Sequence, residues 1–264
     1  MVQTDLVWEN PLANKVKVTS ILERVPRQTD LVLFPEAFLS GFSMNGAHLN
    51  DFVLSWSEAK DMMLEWSARF GFYIGASVFV RENGKNFNRF VVSGPGGEII
   101  GFYDKRHLFT HAGEHRIFSP GNERTVIRLK GWNLMLQVCY DLRFPVWARN
   151  RYFREDAVYE YDVLVYVANW PAVRRRAYMR LLPSRAIENQ SYVLWVNRTG
   201  KDGNGMEYAG DSRVISPEGE SLASLGDDRD GCLDFVLDPG PLYQVRARMP
   251  LGPDWDDFEV KNSL

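Results

Sequence analysis

The stretch LMLQVCYDLRFP, residues 134–145, is an apolar run that ends at a cysteine and continues into a short polar turn. Its pattern predicts a strand that ends at Cys139, followed by a turn and then by a helix over residues 144–153. A cysteine at such an elbow lies beside backbone N–H groups and the positive end of a helix dipole, which favour an anion. The sequence therefore predicts a stabilised, nucleophilic thiolate at Cys139. The alternative is an inert cysteine that packs as a small apolar side chain.

Composition places the chain among ordinary globular proteins and excludes several classes of function. The chain has 264 residues, of which 45% are hydrophobic and 25% charged. A net charge of -3 offers no basic surface for a nucleic acid, and no apolar run is long enough to span a bilayer. The two cysteines, Cys139 and Cys232, form no CxxC pair, which argues against a disulfide scaffold. We therefore expect a cytoplasmic protein without a nucleic-acid or membrane partner.

Apolar strands and amphipathic helices alternate along the chain. Residues 30–34 and 162–168 are continuous apolar runs, typical of strands that are covered on both faces. Residues 51–70 carry apolar side chains at three- and four-residue steps, which predicts a helix. Residues 173–190 predict another helix, which Pro183 should kink or interrupt. The alternation favours an α/β protein with a mixed sheet, or two sheets, covered by helices.

No flexible linker, repeat or low-complexity segment divides the chain. A short first strand is expected over residues 2–7, and the turn GPGG at 94–97 predicts a hairpin. A last strand is expected over residues 232–237. The sequence therefore predicts one domain over residues 1–264, in which residues 238–264 form a polar C-terminal tail.

Four polar residues follow directly after predicted strands: Glu36, Lys105, Cys139 and Asn169. In open α/β sheets, functional sites lie beyond the carboxyl ends of the strands. Glu36 has the chemistry of a general base, and Lys105 can hold a developing oxyanion. Taken singly, each of these two residues is also explained as an ordinary charged side chain on the surface. Together with a nucleophilic Cys139, they form a complete set for covalent catalysis.

Three segments resemble the catalytic segments of the nitrilase, or carbon–nitrogen hydrolase, superfamily. They are LFPEAF at 33–38, YDKRHLF at 103–109 and VCYDLRFP at 138–145, in that family's order. The resemblance extends from about residue 2 to about residue 237. It implies a four-layer α-β-β-α sandwich of the nitrilase type, usually paired into homodimers through the helices on one face.

The resemblance also implies a role for each residue of the site. Glu36 would be the base and Cys139 the nucleophile, while Lys105 and the backbone N–H of Tyr140 would hold the oxyanion. Glu114, in the motif EHRIFSPG, aligns with a second glutamate that positions the lysine and the substrate. The resemblance implies no cofactor and no metal.

Further segments resemble the branch of the superfamily that contains bacterial omega-amidases. They are ANWP at 168–171, SRAIENQ at 184–190 and GDSR at 210–213. Enzymes of this branch hydrolyse the terminal amide of 2-oxoglutaramate and 2-oxosuccinamate, which releases ammonia and the 2-oxo acid. The resemblance therefore implies a small amide substrate that also carries a carboxylate.

A carboxylate substrate needs a cationic partner in the binding pocket. Arg174 is our candidate, together with the two arginines that follow it, Arg175 and Arg176. The alternative is a solvated basic start of a helix. Phe42, Trp170 and Asn169 are further candidates for the pocket wall, although core packing explains the two aromatic residues equally well.

Three alternatives to this function remain open. Another carbon–nitrogen hydrolase, an N-carbamoyl amidase or a nitrilase, would share the same catalytic residues and differ in the pocket wall. A non-catalytic small-molecule-binding protein could retain the fold. A metallohydrolase is suggested by His107, His111 and His115, which recur every four residues. Gly113 interrupts that run and no HExxH motif is present, which argues against the metal site.

Overall fold

Most of the strands are short. The computed structural model describes residues 1–226 and 229–261. Within those residues the strands are β1 (Val2–Gln3), β2 (Leu31–Leu33), β3 (Leu54–Ser55), β4 (Tyr73–Glu82), β5 (Lys85–Ser93), β6 (Ile99–Asp104), β7 (Val126–Leu129), β8 (Trp132–Val138), β9 (Tyr152–Phe153), β10 (Val158–Tyr159), β11 (Val163–Ala168), β12 (Tyr192–Asn197), β13 (Thr199–Lys201), β14 (Glu207–Ala209), β15 (Arg213–Ile215), β16 (Ser221–Ser224) and β17 (Gly231–Cys232).

Helices connect and cover these strands. The α-helices are α1 (Pro11–Leu22), α2 (Leu49–Phe52), α3 (Trp56–Phe70), α4 (Pro145–Ala148), α5 (Arg175–Asn189) and α6 (Pro239–Arg248). Single 3₁₀ turns occupy Gly46–His48, Thr110–Ala112, Glu114–Arg116, Cys139–Arg143, Ala172–Arg174 and Gly252–Asp254. None of the helices in the described part of the chain is long and apolar enough to cross a membrane.

Two mixed sheets carry the candidate site. The first has the order β2-β4-β5-β6, with β3 also paired to β4, and the second has the order β16-β15-β12-β11-β8-β7. Strand β2 is parallel to β4, and β11 is parallel to both β8 and β12. The carboxyl ends of these parallel strands therefore share an edge of their sheet.

The two sheets pack face to face and helices cover their outer sides. Phe90 and Tyr103 from the first sheet share one apolar cluster with Leu136 from the second, so this cluster fills the space between the sheets. Side chains of α1 and α3 cover the outer face of the first sheet, and buried residues of α5, Tyr178 and Leu182, cover the second. The predicted α-β-β-α sandwich is confirmed.

The predicted start of the long helix at residue 51 is wrong, because α3 begins at Trp56. Ser55 and Glu58 form a capping box at this point. The Glu58 backbone N–H donates to Ser55 Oγ at 3.2 Å, and the Ser55 backbone N–H donates to Glu58 Oε2 at 2.8 Å. These two bonds satisfy N–H groups that the first turn of a helix leaves without partners.

The helix expected over residues 144–153 is wrong as well. Residues Pro145–Ala148 form one short helical turn, and the chain then becomes extended. The backbone N–H of the buried Asn150, which a continued helix would pair with the carbonyl of Val146, donates instead to Asn189 Oδ1 at 2.8 Å.

Helix α5 continues through Pro183, so the predicted interruption does not occur. Proline removes one backbone hydrogen bond from a helix interior. Burial of Leu182 and Ala186, on either side of Pro183, holds the helix against the second sheet and offsets that loss.

Both ends of the chain differ from expectation. The first and last strands are only two residues long each, and they pair with each other, Val2 opposite Cys232. The segment predicted as a polar tail, residues 238–264, contains α6, which buries Leu242. Residues 262–264, at the end of that tail, lie outside the described residues. The single domain over residues 1–264 stays a prediction.

Candidate active site

Glu36 lies just beyond β2 and is completely buried. The chain turns at Ala37, which has a φ of 46°, and the Ala37 N–H donates to Ser77 Oγ at 2.9 Å. Glu36 Oε1 accepts a hydrogen bond from Lys105 Nζ at 2.8 Å, and Oε2 accepts one from the backbone N–H of Asn169 at 2.9 Å. The turn therefore places the carboxylate inside the protein, between the ends of strands from both sheets.

Lys105 follows β6 and is also buried, with 1% of its surface exposed. Its Nζ lies 2.9 Å from Glu114 Oε2 and 3.1 Å from Glu114 Oε1, in addition to its contact with Glu36. Glu114 is fully buried in its 3₁₀ turn, where its Oε2 accepts a further hydrogen bond from the backbone N–H of Phe109 at 2.5 Å. One buried ammonium group thus holds two buried carboxylates.

Cys139 directly follows β8 and is the first residue of a five-residue 3₁₀ turn, with a φ of 44°. The carboxylate of Asp141 fixes this turn. It accepts hydrogen bonds from the backbone N–H groups of Val138 and His107, both at 3.0 Å, and from the hydroxyl of Tyr103 at 2.9 Å. Asp141 therefore links the turn at Cys139 by hydrogen bonds to Tyr103 and His107, which lie on either side of Lys105 in the chain.

The surroundings of Cys139 disfavour the ionised thiol. Burial raises the pKa of Cys139 well above its usual value, and the neighbouring Glu36 raises it further, while Lys105 acts in the opposite direction. Burial and Glu36 thus oppose the thiolate that the sequence predicts. Burial lowers the pKa of Lys105, but Glu114 and Glu36 outweigh it, and the net shift is upward. Burial also raises the pKa of Glu114, against the effect of Lys105.

A cavity of about 220 Å³ opens beside these residues. Eight residues that the sequence predicted for the site line this cavity: Glu36, Phe42, Lys105, Cys139, Tyr140, Asn169, Trp170 and Arg174. Glu114 lies behind Lys105 and contacts its ammonium group. The tertiary structure thus brings together residues that lie up to 138 positions apart, from 36 to 174.

Of the three consecutive arginines, only Arg174 lines the cavity. Its guanidinium group lies 5.1 Å from the ring centroid of Phe109, and it has no carboxylate partner in residues 1–226 and 229–261. Arg175 forms an ion pair with Asp211, with 2.7 Å between Nε and Oδ2. Arg176 is exposed and does not line the cavity.

The three histidines do not share a helical face. The Nδ1 of His107 lies 2.7 Å from Asp141 Oδ1, while His111 and His115 occupy two separate 3₁₀ turns. None of the three lines the cavity. Over the described residues, no group of histidine, cysteine, aspartate and glutamate side chains is arranged to hold a metal ion.

Residues 1–247 match the family model of the carbon-nitrogen hydrolases. This chain belongs to the carbon–nitrogen hydrolase family. It is 40% identical over 263 residues to Omega-amidase YafV of Escherichia coli, a match that covers 98% of this chain and 97% of the relative. It is 32% identical over 254 residues to the 2-oxoglutaramate amidase of Bacillus subtilis, covering 96% of this chain and 95% of that protein.

A solved structure agrees with the fold of this hydrolase over nearly its full length. The crystal structure of XC1258 from Xanthomonas campestris, a CN-hydrolase superfamily protein with an arsenic adduct in its active site, matches with a TM-score of 0.92 and 37% sequence identity. The match covers 99% of this chain and 97% of that one. The fold is therefore that of the nitrilase superfamily.

In this hydrolase the β13–β14 hairpin forms a part of the cavity wall that the sequence did not predict. It contributes Asp202, Asn204, Met206 and Tyr208. Asp202 Oδ1 accepts the backbone N–H groups of Asn204 and Met206, and Oδ2 accepts the Tyr208 hydroxyl at 2.9 Å. The string DGNG at 202–205 is a turn signal, but it does not indicate what the turn packs against.

Proposed function

We propose that this hydrolase cleaves the terminal amide of small 2-oxo acid amides, 2-oxoglutaramate and 2-oxosuccinamate, to the 2-oxo acid and ammonia. The observation that carries the proposal is that Arg174, which has no carboxylate partner among the described residues, lines the same cavity as Cys139. A substrate with an amide at one end and a carboxylate at the other meets a nucleophile and a cation in that cavity. The names of the Escherichia coli and Bacillus subtilis relatives support the same substrate class.

The first half of the reaction forms a thioester. Because burial and the charge of Glu36 raise the pKa of the Cys139 thiol, the thiol needs a base, and Glu36 is the neighbouring carboxylate. Glu36 accepts the proton as the sulfur attacks the amide carbon. Lys105 and the backbone N–H of Tyr140 hold the resulting oxyanion. Tyr140 lies in the first turn of its 3₁₀ segment, where N–H groups have no acceptor within the helix.

The carbon–nitrogen bond then breaks, and ammonia leaves with the proton that Glu36 returns, which completes the thioester. The second half of the reaction releases the acid. A water molecule then gives a proton to Glu36 and attacks the thioester carbon, the carbon–sulfur bond breaks, and Cys139 regains its proton. Glu114 takes no proton in this scheme, because its two contacts with Lys105 place it as the residue that holds the lysine.

The cavity wall suits a small substrate. Phe42 and Trp170 line it, and Lys105 Nζ lies 5.0 Å from the centroid of the Phe42 ring. Asn169 contributes its backbone N–H to Glu36. A cavity of about 220 Å³ is at the small end of ligand sites, which usually exceed about 300 Å³.

The test of the substrate class measures ammonia release from 2-oxoglutaramate, a simple nitrile and an N-carbamoyl compound. We expect 2-oxoglutaramate to be hydrolysed with the highest kcat/KM. Arg174→Gln should raise its KM about 10- to 100-fold, because a hydrogen bond to a charged group contributes about 1.5–3 kcal/mol. The control Arg176→Gln changes an exposed arginine outside the cavity and should leave KM unchanged. Faster hydrolysis of the nitrile or the carbamoyl compound would refute the proposal.

The test of the covalent route is Cys139→Ala. This variant should lose turnover of every amide in the panel, because no other group in the scheme forms the thioester. Retention of amidase activity by Cys139→Ala would show that the covalent route is wrong.

We further propose that the protein is a cytoplasmic homodimer, paired through α5 and α6. Two exposed apolar side chains on these helices support the dimer, Ile187 with 51% and Tyr243 with 63% of their surface exposed. The unpaired state of both cysteines, Cys139 and Cys232, supports a reducing compartment.

A further inference from the structure

Asn88 lies in β5 between the two buried carboxylates of the site, and its side chain is completely buried. Its amide nitrogen Nδ2 lies 2.8 Å from Glu36 Oε1 and 3.1 Å from Glu114 Oε1. An amide nitrogen carries two hydrogens, so it can donate one to each carboxylate at the same time. Asn88 therefore contacts both the proposed base and the glutamate that holds the lysine.

A second set of hydrogen bonds fixes the direction of the Asn88 amide. Its Oδ1 accepts the hydroxyl of Ser77 at 2.7 Å, and Ser77 Oγ accepts the backbone N–H of Ala37 at 2.9 Å. Ala37 is the residue at which the chain turns after Glu36. The turn, the amide and the Glu36 carboxylate are therefore joined into one hydrogen-bonded unit, with the N–H groups of Asn88 facing the carboxylates.

Asn88 and Lys105 donate to the same two oxygens, Glu36 Oε1 and Glu114 Oε1, so donors and acceptors alternate around a closed ring. One ammonium group cannot neutralise two carboxylates, and two carboxylates in one site favour the retention of a proton. Burial and the charge of Glu36 raise the pKa of Glu114 in this way, against Lys105. Hydrogen bonds donated to the ionised form oppose that tendency, and Asn88 donates two without adding charge.

We propose that Asn88 is a positioning residue, whose two N–H groups keep the carboxylates ionised and separate and hold Glu36 ready to receive the Cys139 proton. This inference rests on the roles proposed above for Glu36 and Cys139. Asn88 does not line the cavity, so it acts on the base and not on substrate binding.

The test is Asn88→Asp, which keeps the shape of the side chain and removes both N–H donors. A third carboxylate makes the cluster hold a proton more tightly. We therefore expect kcat to fall about 10- to 100-fold, less than the roughly 10²–10⁴-fold that positioned acid–base catalysis contributes in full. The acid limb of the pH profile of kcat/KM should move to higher pH. KM should stay within about 3-fold of the wild-type value, because the contacts that bind the substrate are unchanged.

The matched control is Asn86→Asp, the same chemical change on the same strand. Asn86 Oδ1 accepts a hydrogen bond from Arg81 Nε at 3.0 Å, which an aspartate retains. This variant should keep the wild-type kcat and pH profile. Asn88→Ser is the second test variant. It keeps a single hydroxyl donor and adds no charge, so it should lower kcat without moving the acid limb as far as Asn88→Asp.

A third measurement needs no substrate. In a Cys232→Ser background, iodoacetamide labels Cys139 alone, and Asn88→Asp should shift the pH dependence of labelling upward. If the wild-type protein hydrolyses no amide in the panel, the proposed function fails, while this labelling still decides the role of Asn88. The inference would be overturned if the labelling profiles and the kcat/KM profiles of both Asn88 variants coincided with those of the wild type. A rise in KM without a fall in kcat would overturn it as well.

Discussion

Lys105→Met tests whether the buried charges of the site are held as the structure indicates. The substitution keeps most of the side-chain volume and removes the ammonium group that contacts Glu36 at 2.8 Å and Glu114 at 2.9 Å. Both carboxylates are completely buried. Loss of one partner from a buried ion pair destabilises a protein by about 3–5 kcal/mol, because it leaves an uncompensated charge. We expect a loss of that size near neutral pH.

The sign of the pH dependence follows from the carboxylates that remain. The pKa of Glu114 is already raised by burial, and Lys105 opposes that shift, so its removal raises the pKa further. A carboxyl group whose pKa is raised in the folded state destabilises the fold progressively as the pH rises above about 4.3, the pKa of the group in the unfolded chain. The loss of stability should therefore be larger at about pH 8 than at about pH 5.

The assay is urea unfolding followed by far-UV circular dichroism at both pH values, with ammonia release as the activity readout. Lys130→Met is the control, because Lys130 forms an exposed pair with Asp30 at 3.2 Å and such pairs contribute about 0–1 kcal/mol. The double variant Lys105→Met with Glu114→Gln should regain stability without regaining activity. A loss below about 1 kcal/mol at the higher pH, or an equal loss at both pH values, would refute this account of the site.

Three further predictions follow from the same geometry. Asp141→Asn should lower Tm by about 3–12 °C in a thermal melt, since a buried charged acceptor contributes about 1.5–3 kcal/mol and each kcal/mol shifts Tm by about 2–4 °C; an unchanged Tm would contradict the role of Asp141 in the turn. In a Cys232→Ser background, the rate of iodoacetamide labelling of Cys139 should still rise above about pH 8.5, the ordinary thiol pKa, because burial raises the pKa of this thiol; a plateau below that pH would contradict it. Ile187→Glu should convert the proposed dimer to a monomer in light scattering, and a wild-type protein that is already monomeric would rule out the dimer.

The sequence alone determined the strands that carry the site and the residues at their ends. Continuous apolar runs mark β8 and β11, and polar residues that follow strands directly, such as Glu36, Lys105 and Cys139, are visible without any structure. These features are local, so the order of residues in the chain is enough to reveal them. The resemblance of three segments to one superfamily then implied the sandwich that the structure has.

Helix boundaries and the state of the thiol depended on distant partners. The backbone N–H of Asn150, which would continue the helix expected after Phe144, donates instead to the side chain of Asn189. A resting thiolate at Cys139 was expected from its position next to a helix, but burial and the carboxylate of Glu36 set its pKa. Neither effect has a signal in the local sequence.

Only the tertiary structure decided which polar residues act together. It selected Arg174 from three consecutive arginines, because Arg175 pairs with Asp211 and Arg176 faces solvent. It also placed Asn88, one polar residue within a strand, between two glutamates that are far from it in the chain. Charge pairing and hydrogen bonding act through space over a few ångströms, so their partners are fixed by the packing of the two sheets and not by sequence spacing.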